Sequence, residues 1–258
     1  MIVLAADIGN TRTTFGLFIG KTLAATTHMR SADFSTERIW KQVRSLPRQS
    51  GILPAAISGV VFSSVVPRLT RICSIAIRRH LRKNPFVVGG ESGGLLRIDY
   101  KNPRELGADR ICNAVAAFHG YGGPVIVVDL GTAVTYDVVA GDGTFLGGAI
   151  APGIQTAVFA LHRRTAQLPD IEARFPRHVI GKSTIENLQS GILYGAVDAM
   201  EGMVRRIKAV TGKQTKVILT GGYSALIRRK SKIFDAVEPA LVLKGARLIY
   251  ESAGTKTR

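Results

Sequence analysis

The sequence is short of cysteine, tryptophan and acid. Only Cys73 and Cys112 occur in 258 residues. They stand apart within helical patterns, so they read as reduced core residues of a cytoplasmic protein rather than a disulfide framework. The five histidines are scattered without the spacing of a metal site. No apolar run approaches the roughly 20 residues of a membrane span. Met1 to Ala6 has no basic leader before Asp7, which argues against a signal peptide. Neither a low-complexity linker nor a short-period repeat interrupts the chain.

The shortage of acid is quantitative: 18 Asp and Glu stand against 35 Lys and Arg, a net charge of +17. The excess is clustered at Arg78, Arg79, Arg82 and Lys83, at Arg163 and Arg164, at Arg205, Arg206 and Lys208, and at Arg228, Arg229, Lys230 and Lys232. Solvated helix faces account for such clusters, and a basic field also concentrates an anionic substrate such as ATP. No nucleic-acid-binding module accompanies the charge. With 46% hydrophobic residues, the chain can fill one large core or two ordinary ones.

Two short acidic, glycine-bearing turns organise what is present. Asp7-Ile8-Gly9-Asn10-Thr11 follows the apolar run Ile2–Ala6, and Asp129-Leu130-Gly131-Thr132-Ala133 follows Val125–Val128. Each leads into an alternating stretch, so each reads as strand, tight turn, strand, with Asp at the end of the first strand. Glycine lets backbone approach a phosphate, Thr and Asn add short donors, and Asp can hold a cation that bridges phosphate oxygens. Read blandly, both are Asx-type hairpin turns. As a pair, they suggest a duplicated fold with a nucleotide between its halves.

The pattern predicts three meander strands over residues 2–29 and a helix from Ser35 to about Leu46. It then predicts a buried strand at 57–66, a helix from Pro67, and a strand at 86–88 before the loop 89–94. A short strand at 95–100 precedes the helix opened by Gly107-Ala108-Asp109-Arg110. Tyr121-Gly122-Gly123-Pro124 is the natural break between lobes, giving an N-terminal lobe of 1–120 and a C-terminal lobe of 121–258. The meander then repeats at 125–129, 133–140 and 144–150. A helix to about Arg164, an irregular stretch over 166–182 and a long helix from the Gly181–Thr184 region to Gly212 follow. A strand at 217–220, the turn Gly221-Gly222-Tyr223-Ser224, a closing helix at 240–252 and a frayed tail at 254–258 complete the chain.

Four segments in order carry a resemblance over nearly the whole chain: Asp7–Arg12, Gly107–Arg110, Asp129–Ala133 and Gly147-Gly148-Ala149-Ile150-Ala151-Pro152-Gly153. Together they resemble type III pantothenate kinase, a branch of the actin-like and sugar-kinase-like ATPases. The resemblance implies an α/β fold of two actin-like (ribonuclease H-like) lobes, each a mixed five-stranded sheet flanked by helices. It implies ATP-dependent phosphorylation of pantothenate to 4′-phosphopantothenate, the first step towards coenzyme A. Asp7, Ile8, Gly9, Asn10, Thr11, Arg12, Thr13, Thr14 and Thr132 would bind ATP, which brings Mg2+, and Asp129 would help hold K+ or NH4+.

Asp109 is the implied general base. A carboxylate at a helix start can accept the hydroxyl proton as oxygen attacks phosphorus, although the same position suits a cap or an ion pair with Arg110. Tyr100, Gly107, Ala108, Asp109, Arg110 and Thr184 match the family's substrate positions. Ser183 stands where the family more often has Asn, and Tyr100 also suits a core. The Gly221-Gly222 turn resembles the adenosine-side turn of the kinase superfamily. The family's dimeric habit implies a homodimer. It fits the helix from Gly107, whose Cys112, Ala114, Val115, Ala116, Ala117 and Phe118 make most of its surface apolar. Other readings are a different small-molecule kinase on this fold, or a regulatory or nucleic-acid-binding relative of the accessory transcription factor type. The intact Asp7, Asp109 and Asp129 favour catalysis.

Overall fold

The computed structural model describes residues 1–89 and 94–255. The central residues of the expected loop 89–94 and the last three of the expected frayed tail lie outside the described residues. The chain folds as two compact units. One comprises Met1–His119 with the C-terminal helix, and the other Gly120–Ala240.

In the first unit, β1 (Ile2–Ile8), β2 (Arg12–Ile19) and β3 (Thr22–Arg30) form the expected meander. The helix expected at 35–46 is broken in two, α1 (Thr36–Val43) and α2 (Ser45–Gln49). Ser35 caps α1, its hydroxyl accepting from the Arg38 N–H at 3.2 Å. Pro47 lacks the N–H that a continuous helix needs, so the first helix stops and a second begins with Pro47 in its first turn.

β4 (Gly59–Ser64) leads to α3 (Pro67–Leu81), with proline at its first position. Basic side chains in the last turn of α3 sit where the helix presents free carbonyls, and Arg82 closes it in the left-handed conformation at φ 52°. The Trp40 ring of α1 stacks on His80 of α3 at 4.5 Å. Two-residue strands β5 (Phe86–Val87) and β6 (Arg97–Ile98) precede α4 (Ala108–Tyr121). The sheet order is β3-β2-β1-β4-β5, with β1 antiparallel to β2 and parallel to β4. Leu4, Ile8, Phe15, Leu17, Phe62 and Ile77 centre its core.

The second unit repeats this plan. β7 (Val125–Leu130), β8 (Ala133–Val139) and β9 (Thr144–Pro152) form a meander. After it come α5 (Ile154–Arg164), α6 (Thr184–Thr211), β10 (Lys216–Gly221), α7 (Ser224–Arg228) and β11 (Ala236–Val237). The five strands this unit contributes run β9-β8-β7-β10-β11, the same topology as the first sheet. Even the irregularity is repeated: the second and third strands slip register at Leu17/Phe18 in one unit and at Val138/Val139 in the other.

The last helix, α8 (Leu241–Thr255), corrects the expected division of the chain at 120/121. It packs on β1 and β4 of the first unit, burying Leu241, Leu243, Ala246 and Ile249. An apolar stripe states that a helix will be buried but not which core will bury it. Among the described residues, no helix is long and apolar enough to cross a membrane.

Candidate active site

The two acidic turns occupy equivalent places. Asp7 lies at the end of β1, opposite Thr14 on the antiparallel side and Ser63 on the parallel side. Asp129 lies at the end of β7, opposite Thr135 and Thr220 in the same sense. Each carboxylate therefore sits where a parallel strand ends beside a hairpin, the edge of an α/β sheet at which ligands collect.

The loops are folded by their own glycines. The Gly9 N–H donates to the Arg12 carbonyl at 3.1 Å, and the Gly131 N–H to the Ala133 carbonyl at 3.0 Å. Asn10, Thr11 and Arg12 are exposed at the first tip, Gly131 and Thr132 at the second. Ile8 is buried in the core and Thr13 is fully buried, its hydroxyl 3.4 Å from that of Ser31. These two shape the loop from within, whereas the exposed tip residues present groups outward.

Two supports were not read from the sequence. Ser31 fastens the first loop: its hydroxyl donates to the Gly9 carbonyl at 2.6 Å and its N–H to the Thr11 carbonyl at 2.9 Å. Gly153 and Thr156 fasten the second, donating to the Thr132 carbonyl at 3.1 and 2.6 Å. A Cβ on Gly153 would overlap the backbone of Gly131 and Thr132, so that position needs glycine. Gly153 closes the fourth segment of the family pattern. Ser31 had no comparable signal, being a small polar residue far along the chain.

Gly221, at the end of β10, has φ 90°, and a Cβ there would meet the Asp129 carboxylate and the Leu130 backbone at 2.5 Å. The glycine of the expected adenosine-side turn thus lies against the Asp129 strand end.

In the first unit, α4 begins at Ala108 and carries Asp109 in its first turn. The Arg110 N–H donates to Asp109 Oδ1 at 2.8 Å. Gly107 leaves room for that carboxylate, since a Cβ would stand 2.5 Å from Oδ1. Arg110 itself is buried and Tyr100 half-buried. Burial pushes the Cys112 thiol well above its usual range. The Ser63 hydroxyl beside it opposes the shift, and the Asp7 and Asp109 carboxylates add to it. The Val65 N–H donates to the Ile8 carbonyl at 3.4 Å, and Val65 Cγ1 stands 3.5 Å from where a Cβ on Gly107 would be, so the Asp7 turn and the start of α4 lie at the same end of this unit.

Thr184 stands exposed at the first position of α6, capped by Ser183. Glu186 donates its N–H to the Ser183 hydroxyl at 3.3 Å and accepts from the Lys182 N–H at 2.8 Å. Serine serves as this cap as well as asparagine does. A cavity of about 410 Å3 lies between α5 and α6, lined by Gly153, Leu161, Asn187, Gly191 and Gly195 among others.

The sequence model of the type III pantothenate kinase family matches residues 3–206. The chain belongs to this family. Type III pantothenate kinases of Dehalococcoides mccartyi strain 195 and Moorella thermoacetica are 43% and 42% identical to it. Their alignments cover 96% and 97% of this chain and 97% and 99% of theirs. The pantothenate kinase of Thermomicrobium roseum is 41% identical, over 97% of both chains.

Among solved structures, the activator of 2-hydroxyisocaproyl-CoA dehydratase from Clostridium difficile, with bound ADPNP, is similar at TM-score 0.60 and 14% identity. The match covers 100% of this chain and 97% of that one. Component A of (R)-2-hydroxyglutaryl-CoA dehydratase from Acidaminococcus fermentans is similar at TM-score 0.58 and 12% identity, covering 98% and 99%. At such identities the likeness concerns the fold, two actin-like lobes built on mixed sheets.

Proposed function

We propose that this chain transfers the terminal phosphoryl group of ATP to a hydroxyl of pantothenate, giving ADP and 4′-phosphopantothenate. The observation that carries the reading is Asp109, held at a helix start at the same end of the unit as the Asp7 turn, in a chain of this family. Oδ1 of Asp109 is engaged by the Arg110 N–H, leaving Oδ2 to take the proton as the hydroxyl oxygen bonds to phosphorus and the bond to ADP breaks. Asp7, Gly9, Asn10, Thr11, Arg12 and Thr14 cradle phosphates, Ile8 and Thr13 shape the loop, and Thr132 adds a contact from the second hairpin. Tyr100, Gly107, Ala108, Arg110 and Thr184 take the pantothenate.

Mg2+ arriving with ATP supplies charge neutralisation of the phosphates when bound. Asp129 holds a monovalent cation, K+ or NH4+. Among the described residues there is no cluster of three or more His, Cys, Asp or Glu side chains to hold a metal alone. That suits a cation completed by phosphate oxygens, backbone carbonyls and water.

The protein works in the cytoplasm as a homodimer. Nine residues of α4 are buried within the single chain, so that helix needs no partner. Ile150 on β9, Phe159 and Leu161 on α5 and Ile185 on α6, by contrast, are exposed, and Leu161 lines the α5–α6 groove. The basic surface alone speaks for a regulatory or nucleic-acid-binding role.

Mass spectrometry after incubation with ATP, Mg2+ and pantothenate tests the reading. It predicts pantothenate gaining one phosphoryl group in potassium buffer and little product in sodium buffer. Unchanged pantothenate in both would refute the assigned reaction, and equal product in both would refute only the cation site. Sedimentation at assay concentration should show a dimer.

A further inference from the structure

We infer that Gly245, on the C-terminal helix and outside every motif of the nucleotide and substrate loops, is a positioning residue for Asp109. This rests on the kinase reading above. Helix α8 lies on the first sheet with its side chains seated over glycines. Leu243 occupies the space a Cβ of Gly16 would take, and the Tyr250 ring covers Gly59. In both places the neighbour is a side chain, which can turn aside.

Gly245 differs in kind. A Cβ there would overlap the carbonyl oxygen, carbonyl carbon and Cα of Cys112. These are backbone atoms of α4, and they can yield only if the helix moves. At this point α8 and α4 touch main chain to main chain.

Cys112 lies one helical turn from Asp109, and Gly107, just before that turn, packs against Val65, whose N–H bonds the Ile8 carbonyl beside Asp7. The backbone of Cys112 therefore faces α8 on the helix whose first turn carries Asp109 near the end of β1. The depth at which α8 admits α4 sets the distance from the Asp109 carboxylate to the Asp7 turn. Gly245 is the point at which that depth is set. Buried Arg247 sets its guanidinium 5.4 Å above the Phe18 ring of the sheet, and its pairing with Glu251 one turn along α8 holds that side chain in place.

The experiment compares the full-length wild-type protein with Gly245→Ala, Leu243→Ala and Val43→Ala. It measures melting temperature, nucleotide affinity and pantothenate-dependent kcat. Gly245→Ala adds one carbon against α4. Leu243→Ala leaves a cavity under α8, into which the helix relaxes in part. Val43→Ala lies in the core on the opposite face of the same sheet, on α1, and serves as the control for lost stability alone. Misplacing a reacting group by less than about 1 Å costs up to roughly 100-fold in rate. Both α8 variants should therefore lose at least about 10-fold in kcat, with nucleotide affinity within about twofold of wild type. Val43→Ala should melt lower but keep its kcat.

If Gly245→Ala does not fold, Leu243→Ala decides. Wild-type kcat in a folded α8 variant, or a kcat loss in Val43→Ala as large as theirs, would overturn the inference. A wild-type protein that leaves pantothenate untouched would instead remove the kinase reading beneath it.

Discussion

At the scale of single residues, the chemistry turns on what each side chain already bonds. Asp109 accepts the Arg110 N–H at one carboxylate oxygen, and the proposed reaction uses the other. Asp109→Asn preserves the shape and removes the base, so kcat should fall about 100-fold or more while nucleotide affinity stays near wild type. A titration with a fluorescent nucleotide beside the turnover assay separates the two. The strand-end positions of Asp7 and Asp129 were legible, because Asp at a strand end before glycine is a local pattern. Ser31 was not: its bonds to Gly9 and Thr11 exist because β3 is long enough to bring its end back beside the first turn. No local pattern encodes that return. Ser31→Ala should loosen the loop and weaken nucleotide binding several-fold without changing the melting temperature much; equal affinity in the variant would show that the clasp is dispensable.

At the scale of elements, caps and breakers were legible and partners were not. Ser35, Pro67 and Ser183 open helices where the sequence places them. Ser183→Ala removes a capping hydroxyl worth about 1 kcal/mol. The melting temperature should then drop by about 2–4 °C in a chain of this size. Ser183→Asn should melt like the wild type, since Asn also caps, and a calorimetric scan of both variants checks this. Helix α4 shows the other side of the matter. Its all-round apolar character is real, but the neighbours that bury it are within the chain rather than a second copy. Helix α8 could not be assigned to a unit from its own residues, because Leu241, Leu243, Ala246 and Ile249 would suit either core.

At the scale of the whole molecule, the duplicated topology was legible because each acidic hairpin recurs at the head of a three-strand meander. What the two meanders share is sheet order and even the position of the bulge, more than sequence. The second unit also sets an alkaline limit. Burial pushes the Tyr136 phenol up to about 12. Tyr121, by burial and by its 2.9 Å bond to Glu238, is likewise pushed up to about 12. A raised folded-state value favours the neutral phenol. The stability it confers is present below the ordinary value of 10.0 and is lost as pH rises through about 12. Melting temperatures should therefore fall across that interval, and Tyr136→Phe should flatten the fall.

The kinase reading itself is tested most directly by ADP release with ATP, Mg2+ and K+ in the presence of pantothenate, a panel of sugars, acetate or glycerol. The account predicts that pantothenate alone stimulates release and that Asp109→Asn abolishes the stimulation. Stimulation by a sugar or acetate with none by pantothenate would contradict it.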